Sequence, residues 1–399
     1  MKSEYIFVLI TKLRHNKIYK GEVSWLKMVE KTIAILEGDG IGPEIMTEGV
    51  KVLNAVSQKY NHRFNLVYAP FGAGAYFSQG HPFPEDTKRV CDSADAIVKG
   101  PIGLALSEMK KIPTEMSPEG AALLPLRKRF DTYANYRPVI LPKSCAEFSP
   151  LRPEVIGDGL DILMMRELVG GIYFGEKVEG KNTGMQYARD DCHYTQEQIS
   201  RFAHVAFKEA RKKGSKLTSV HKANVLATSR FWNAIFQDVA KQYDDVKFES
   251  MLVDNVAYQL VINPRQFNGV MAFENMQGDI ITDQGGGILG SLGLMPSACL
   301  NPETGRGYFE PSHGSAPDIA GKNVANPYSM VGSVAFMLDK SFGLEQEAKD
   351  VWGALIGVFA NGFRTKELAR SSTPLEKVVS TTQFGDLVVE GISKWQDKH

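Results

Sequence analysis

The sequence predicts an α/β protein, and three observations carry that prediction. An apolar run, Lys31-Thr32-Ile33-Ala34-Ile35-Leu36, is broken by Glu37-Gly38-Asp39-Gly40-Ile41-Gly42-Pro43-Glu44. Ile45, Val50, Leu53 and Val56 then recur at helical spacing, which reads as strand, glycine turn, helix. Further on, short apolar strands at 217–220 and 247–252 alternate with helical patterns at 195–213 and 257–261. Finally, a chain of 399 residues with 43% hydrophobic and 23% charged residues is long enough for two domains or one large α/β unit.

Bulk properties exclude several function classes. Lys and Arg number 46, as do Asp and Glu, so no global field favours nucleic acid or an anionic membrane. No apolar run approaches the length that spans a bilayer. Cys91, Cys145, Cys192 and Cys299 lack the CxxC spacing of zinc sites and do not form a disulfide framework, which fits the reducing cytoplasm or an organelle matrix.

Residues 1–28 are read as an N-terminal extension outside the fold. They are basic, with Lys2, Lys12, Arg14, Lys17, Lys20 and Lys27 against Glu4 and Glu22. The apolar patch at 6–10 is short for a signal-peptide core and no small-residue cleavage site follows it. An upstream start codon explains such a segment; an organelle-targeting segment is the alternative.

The glycine turn at 38–42 is spaced GxGxG, not GxGxxG, and no acidic residue closes a second strand, so the dinucleotide fingerprint is weak. Residues 94–101 form a strand reaching a loop, where ligands gather in open α/β sheets. The helix expected from Pro118 carries an apolar face that ends in Arg127. Arg137 and Arg166 follow, each on a further apolar strand. One arginine is ordinarily a surface residue. Three at the ends of successive apolar elements suggest guanidinium forks around a di- or tricarboxylic acid.

Gly170-Gly171-Ile172-Tyr173-Phe174-Gly175 is either a turn with two core aromatics or a turn that puts the Tyr173 hydroxyl in a cleft. The strand at 217–220 delivers Lys222, ordinarily solvated, but able to serve as a base in a partly dry cleft. Asp254 follows the next strand, where a lone carboxylate is more often a helix cap than a ligand. Asp279 and Asp283 lie four apart and meet on one face of a helix, a repulsive pair unless a cation sits between them. The plain alternative is a solvated helix face. Gly278 before the pair and Gly285-Gly286-Gly287 after it are expected to interrupt the helix and argue for a site that takes Mg²⁺ or Mn²⁺.

Residues 308–321 hold two prolines and two glycines and are expected to be irregular throughout. Backbone N–H groups there and His313 suit a phosphate, and Asp318 suits ribose hydroxyls; a packed surface loop is the bland reading. Asn326-Pro327 then leads into an apolar helix over 331–338.

Gly38-Asp39-Gly40-Ile41-Gly42-Pro43-Glu44, the 170–175 motif, Lys222-Ala223-Asn224, Gly278-Asp279-Ile280 with Asp283, and His313-Gly314-Ser315-Ala316-Pro317-Asp318 occur in order. Together they resemble the β-decarboxylating dehydrogenases that act on isopropylmalate, isocitrate, homoisocitrate and tartrate or malate, from about Lys31 to the C-terminal region. Leu123-Leu124-Pro125-Leu126-Arg127 and 292–298 are similar to the isopropylmalate branch, whose leucines meet an isopropyl group where isocitrate enzymes place serine and asparagine.

The resemblance implies the family's own α/β fold, not a Rossmann domain, with two domains sharing a large mixed sheet. Residues 29–136 and 290–399 would form the cofactor side, and 137–289 the dimerisation and metal side. It further implies oxidative decarboxylation of a small 2-hydroxy dicarboxylic acid by a homodimer with shared active sites, and no nucleic-acid or membrane partner. Leu123, Leu124, Arg127, Arg137, Arg166 and Asp254 would meet substrate; Tyr173 and the partner's Lys222 would move protons. Asp279 and Asp283 with the partner's Asp254 would bind Mg²⁺ or Mn²⁺. His313, Gly314, Ser315, Ala316, Pro317, Asp318 and Asn326 would hold NAD, since a carboxylate at Asp318 repels a 2′-phosphate. Four departures stand out: His221 in place of the branch's usual aspartate, Gln284-Gly285-Gly286-Gly287 in place of Glu-Ala-Ala, Gln277 in place of an apolar residue, and an added residue both between Glu119 and Arg127 and between Asp254 and Asp279. A non-catalytic regulatory subunit is the other class, and such subunits lose the base, the tyrosine or a metal aspartate.

Overall fold

The computed structural model describes residues 28–182 and 185–394, so the expected extension lies, Met28 apart, outside the described residues. Its centre is a ten-stranded sheet built from β1 (Glu30–Leu36), β2 (Arg63–Tyr68), β3 (Ala96–Lys99), β4 (Ala134–Pro142), β5 (Gly159–Glu167), β6 (Leu217–His221), β7 (Phe248–Leu252), β8 (Gly269–Phe273), β9 (Pro296–Leu300) and β10 (Gly307–Pro311). The spatial order is β2-β1-β3-β10-β9-β4-β5-β8-β6-β7. Pairing is parallel at both ends of the sheet and antiparallel from β10 through β9 and β4 to β5. A doubly wound Rossmann sheet would be parallel through its middle. This one is not.

The central strands are continuous apolar runs because helices cover both faces. β3, β8, β9 and β10 have every residue buried. The helices that place the site are α1 (Gly42–Tyr60), α2 (Gln196–Lys213), α3 (Val253–Ile262), α4 (Asn275–Leu289) and α5 (Tyr328–Lys340). α2 starts in a capping box, with Thr195 Oγ1 accepting from Gln198 N and Gln198 Oε1 accepting from Thr195 N. It stops at Gly214 in the left-handed region. The glycine turn before α1 carries Gly38 and Gly40 at φ +74 and +59. A Cβ on Gly40 would lie 2.0 Å from Ser315 O, so only glycine lets the 313–318 loop dock on this turn.

Two expectations fail here. The run from Tyr308 to Pro311 is not irregular but belongs to β10, fully buried between β3 and β9, and the loop begins only at Ser312. The three glycines at 285–287 do not interrupt α4, which runs unbroken from Asn275 to Leu289. Tertiary packing overrides their low helix propensity. A Cβ on Gly285 would sit 2.6 Å from Val139 Cγ2, and one on Gly286 2.4 Å from Leu292 Cδ2. These glycines let α4 lie close against β4 and the segment beyond it.

Candidate active site

The register of the two central antiparallel strands gathers the polar cluster. Asn135 on β4 lies opposite Arg166 on β5, and Arg137 lies two residues along from Asn135. Strand alternation therefore puts all three on one face, the face that α4 covers. Arg166 is 1% exposed, and its Nη1 donates to Asp279 Oδ1. Arg137 Nη1 donates to Asp283 Oδ1 at 2.9 Å and to Thr282 Oγ1 at 2.8 Å, while its Nε donates to Asn135 Oδ1 at 2.9 Å. The i,i+4 aspartates thus each have their own guanidinium. The cations that meet the pair within this chain are the two guanidinium groups, and the Asp279 charge still bears on Asp283.

These contacts set the charges. Burial raises the Asp279 carboxyl, but Arg166 and Arg137 outweigh it and hold the group below its usual range. Asp283 goes the other way, raised by burial and by the Asp279 charge against the pull of Arg137. Arg166 is pulled down to about 10 by burial and by the neighbouring Arg127. Arg127 is buried as well, its Nε donating to Tyr308 Oη at 2.9 Å, and its charge reaches both Arg166 and Asp279. Tyr173 Oη donates to Asp279 Oδ2 at 2.9 Å, so its hydroxyl stands in the cleft. Burial and the Asp279 charge raise its pKa, which keeps the phenol protonated.

A second group stands apart. Lys222 follows β6, and its Nζ pairs with Asp254 Oδ1 at 2.7 Å. Asp254 lies in the first turn of α3, with its side chain 61% exposed and its carboxyl held low by the lysine hydrogen bond. Among the described residues no three acidic, histidine or cysteine side chains of one chain cluster as a metal's ligands. Asp279 and Asp283 come together; Asp254 does not join them. His221, unusual in sequence, faces away from this chemistry: its Nδ1 accepts from Ala223 N at 3.1 Å and its Nε2 meets Ser250 Oγ at 2.7 Å. It shapes the turn that presents Lys222.

The 313–318 loop offers unpaired polar atoms. Ser312 Oγ, His313 Nε2 and Asn326 Nδ2 are buried without a partner. Buried polar atoms are ordinarily bonded, so these orphans, two at the start of the loop and one just before α5, fit a polar ligand such as NAD. Burial lowers the His313 pKa, keeping the ring neutral. Ser315 is buried with its carbonyl accepting from Ile41 N, and Ala316 has φ +39. Gly314, Pro317 and Asp318 are exposed. For the metal, the donor chemistry fits: carboxylate oxygens suit Mg²⁺ and Mn²⁺.

Leu123 and Leu124 are half-buried where a π-turn, Glu119–Leu123, passes into a short helix, Leu124–Arg129. A π-turn holds one residue more than an α-turn. It absorbs the added residue between Glu119 and Arg127 while keeping Arg127 inward. Leu124 lines an open surface depression with Gly120, Pro125, Lys128, Arg129 and Phe174, the residue after Tyr173.

Every motif that pointed to the site now has a place in this fold, and the comparisons match it. The family model for isocitrate/isopropylmalate dehydrogenase matches residues 32–388. The chain belongs to the isocitrate/isopropylmalate dehydrogenase family. It is 46% identical over 345 residues to a Bacillus subtilis protein named 3-isopropylmalate dehydrogenase, covering 86% of this chain and 93% of that relative. A Carboxydothermus hydrogenoformans protein of the same name is 45% identical, covering 90% and 94%. Among solved structures, an isocitrate dehydrogenase from Methylococcus capsulatus superposes with a TM-score of 0.79 at 29% identity, covering 91% of this chain and all of that one. A β-decarboxylating dehydrogenase from Thermococcus kodakarensis gives 0.71 at 30% identity, covering 92% and 100%.

Sequence reasoning missed the residues that hold the family's site in shape. Asp39 accepts from Ala73 N, Gly74 N and Gly103 N, each at 2.9 Å, tying the first glycine turn to two other segments. Asn135 and Asn275 orient Arg137 and Arg166. Their asparagine type carries no signal by itself; only strand register and helix placement reveal them.

Proposed function

We propose that the chain oxidises and decarboxylates (2R,3S)-3-isopropylmalate to 2-oxo-4-methylpentanoate with reduction of NAD, in leucine biosynthesis, as a homodimer with shared active sites. The observation that carries this reading is the buried guanidinium cluster with Asp279, Asp283 and Tyr173, in a chain 46% identical to a protein named for that activity. Residues 29–136 with 290–399 would make the cofactor side, and 137–289 the metal and dimer side. The separation of Asp254 and Lys222 from Asp279 and Asp283 supports shared sites, because one chain supplies only part of the set.

Arg127, Arg137 and Arg166 hold the substrate carboxylates, for which planar forks are suited. Leu123 and Leu124 take the isopropyl group, a burial worth roughly 1.5–3 kcal/mol, where an unpaired carboxylate would be penalised more heavily. When bound, Mg²⁺ or Mn²⁺ on Asp279, Asp283 and Asp254 of the partner subunit supplies Lewis-acid polarisation, and NAD supplies the hydride acceptor. Lys222 of the partner subunit takes the hydroxyl proton. Tyr173, kept protonated by burial and by Asp279, returns a proton to carbon after CO₂ leaves. Ser312, His313 and Asn326 offer NAD their unpaired polar atoms, and Asp318 its carboxylate.

A second reading, turnover of isocitrate, has the Methylococcus structure on its side. Initial rates with 3-isopropylmalate, isocitrate, homoisocitrate and D-malate, each with NAD and with NADP, decide between them. The expected result is metal-dependent NADH formation from 3-isopropylmalate ahead of the others. Preference for another acid overturns the substrate assignment.

A further inference from the structure

We propose that Asn275, the first residue of α4, is a positioning residue that sets both the Arg166 guanidinium and the turn leading to Tyr173. This rests on the function proposed above. Asn275 is fully buried. Its Oδ1 accepts from Arg166 Nε at 3.1 Å and from Nη2 at 2.7 Å. A guanidinium has no acceptor, so the amide must turn its oxygen that way, leaving Nδ2 to donate to Gly170 O at 2.9 Å. The amide orientation is thereby fixed by its two neighbours. Backbone geometry backs it: Asn275 N donates to Tyr194 Oη at 3.0 Å, which anchors the residue from below.

The same face of α4 closes on Arg166 one turn later. A Cβ on Gly278 would stand 2.7 Å from Arg166 Cγ, so glycine there lets the arginine stem lie against the helix. Asp279 takes Nη1. Of five guanidinium N–H groups, Asn275 occupies one on Nε and one on Nη2 and Asp279 one on Nη1, which leaves a pair free to fork onto a carboxylate. Gly170, held by the other end of the same amide, lies three residues before Tyr173. One buried side chain thus couples the carboxylate clamp to the proton donor's turn.

The test is steady-state kinetics of Asn275→Ala and Asn275→Asp, with circular dichroism to confirm folding. The first is expected to raise KM for the hydroxy acid about ten- to a hundredfold, the range for losing hydrogen bonds to a charged group, with KM for NAD unchanged. The second keeps an acceptor for Arg166 and recovers most of that loss. In a double-mutant cycle, Arg166→Lys adds little to Asn275→Ala, because the arginine's orientation is already gone. An unchanged KM, both KM values rising together, or additive effects would overturn the proposal. Should the wild-type protein turn over none of the hydroxy acids, the functional reading fails on its own. Hydrogen exchange at Arg166 Nε, followed by NMR, then decides the positioning: faster exchange in Asn275→Ala supports it, and equal rates reject it.

Discussion

The two groups proposed to bear the chemistry differ in how they are held. Arg166 and Arg137 are buried, with aspartate, asparagine and threonine partners on the facing helix already in place. Among the described residues the Lys222 and Asp254 side chains pair with each other across 2.7 Å, and the aspartate is largely in solvent. An exposed ion pair of that kind contributes little to stability. The buried half is pre-organised by its own chain. The exposed half is presented outward, as a residue meant for another chain's cleft would be.

Breaking the exposed half gives the largest effect. Lys222→Met removes the proposed base and is expected to lower kcat by about a hundred- to ten-thousandfold, with the thermal midpoint little changed because the lysine supports no core contact. A variant with wild-type kcat would remove Lys222 from the mechanism.

The next experiment sharpens the comparison. Lys222→Met and Asp279→Asn homodimers should each be nearly inactive. Mixed by co-refolding, they form heterodimers in which one site carries both defects and the other neither. Recovery of about a quarter of wild-type activity is expected from a statistical mixture of symmetric dimers. No recovery would place Lys222 and Asp279 in the same chain's site and end the case for sharing.

How much of this was legible beforehand follows the same division. The strands that deliver Arg166 and Lys222 are apolar runs that close on a charge, a pattern local enough to read, whereas Arg137 lies inside its strand and not at its end. The Asp279–Asp283 face likewise follows from their spacing, whereas for Tyr173 the sequence left a core turn and a cleft equally open, and its hydroxyl meets Asp279. The continuity of α4 through Gly285-Gly286-Gly287 was not legible, because glycine is a helix breaker unless a neighbour approaches closely, and those neighbours are Val139, on a strand far away in sequence, and Leu292, which returns onto the helix only after the chain has turned past its end. For the same reason the regular stretch at Tyr308–Pro311 was hidden by the prolines and glycines that follow it. Asp39 stood in sequence only as part of a glycine turn with a weak dinucleotide signal, and it is a bracket for three backbone N–H groups.

A smaller effect belongs to Leu124, proposed to meet the isopropyl group. Leu124→Ala is expected to raise KM for 3-isopropylmalate about tenfold or somewhat more, in line with the lost burial, and to leave KM for NAD unchanged. Equal KM values for the acid in both proteins would move the isopropyl group elsewhere.

The smallest effect concerns pH and separates the halves by sign. Glu167, next to Arg166, is fully buried; its oxygens accept from Val169 N and Gly170 N, each at 2.9 Å. Burial raises its carboxyl to about 7, from an ordinary 4.5. Between those values the folded chain binds a proton that the unfolded chain does not, so this group's contribution to stability falls as pH rises through the window and levels off above about 7. Asp254 is lowered by its bond to Lys222, so its contribution is present above the ordinary 3.8 and is lost as pH falls below it. Glu167→Gln cannot titrate, so urea midpoints of that variant should lose the Glu167 slope between about pH 5 and 7 while keeping the acid-side loss. A slope equal to that of the wild type would assign the titration to another buried acid, of which Glu274, at the start of α4, is the nearest in kind.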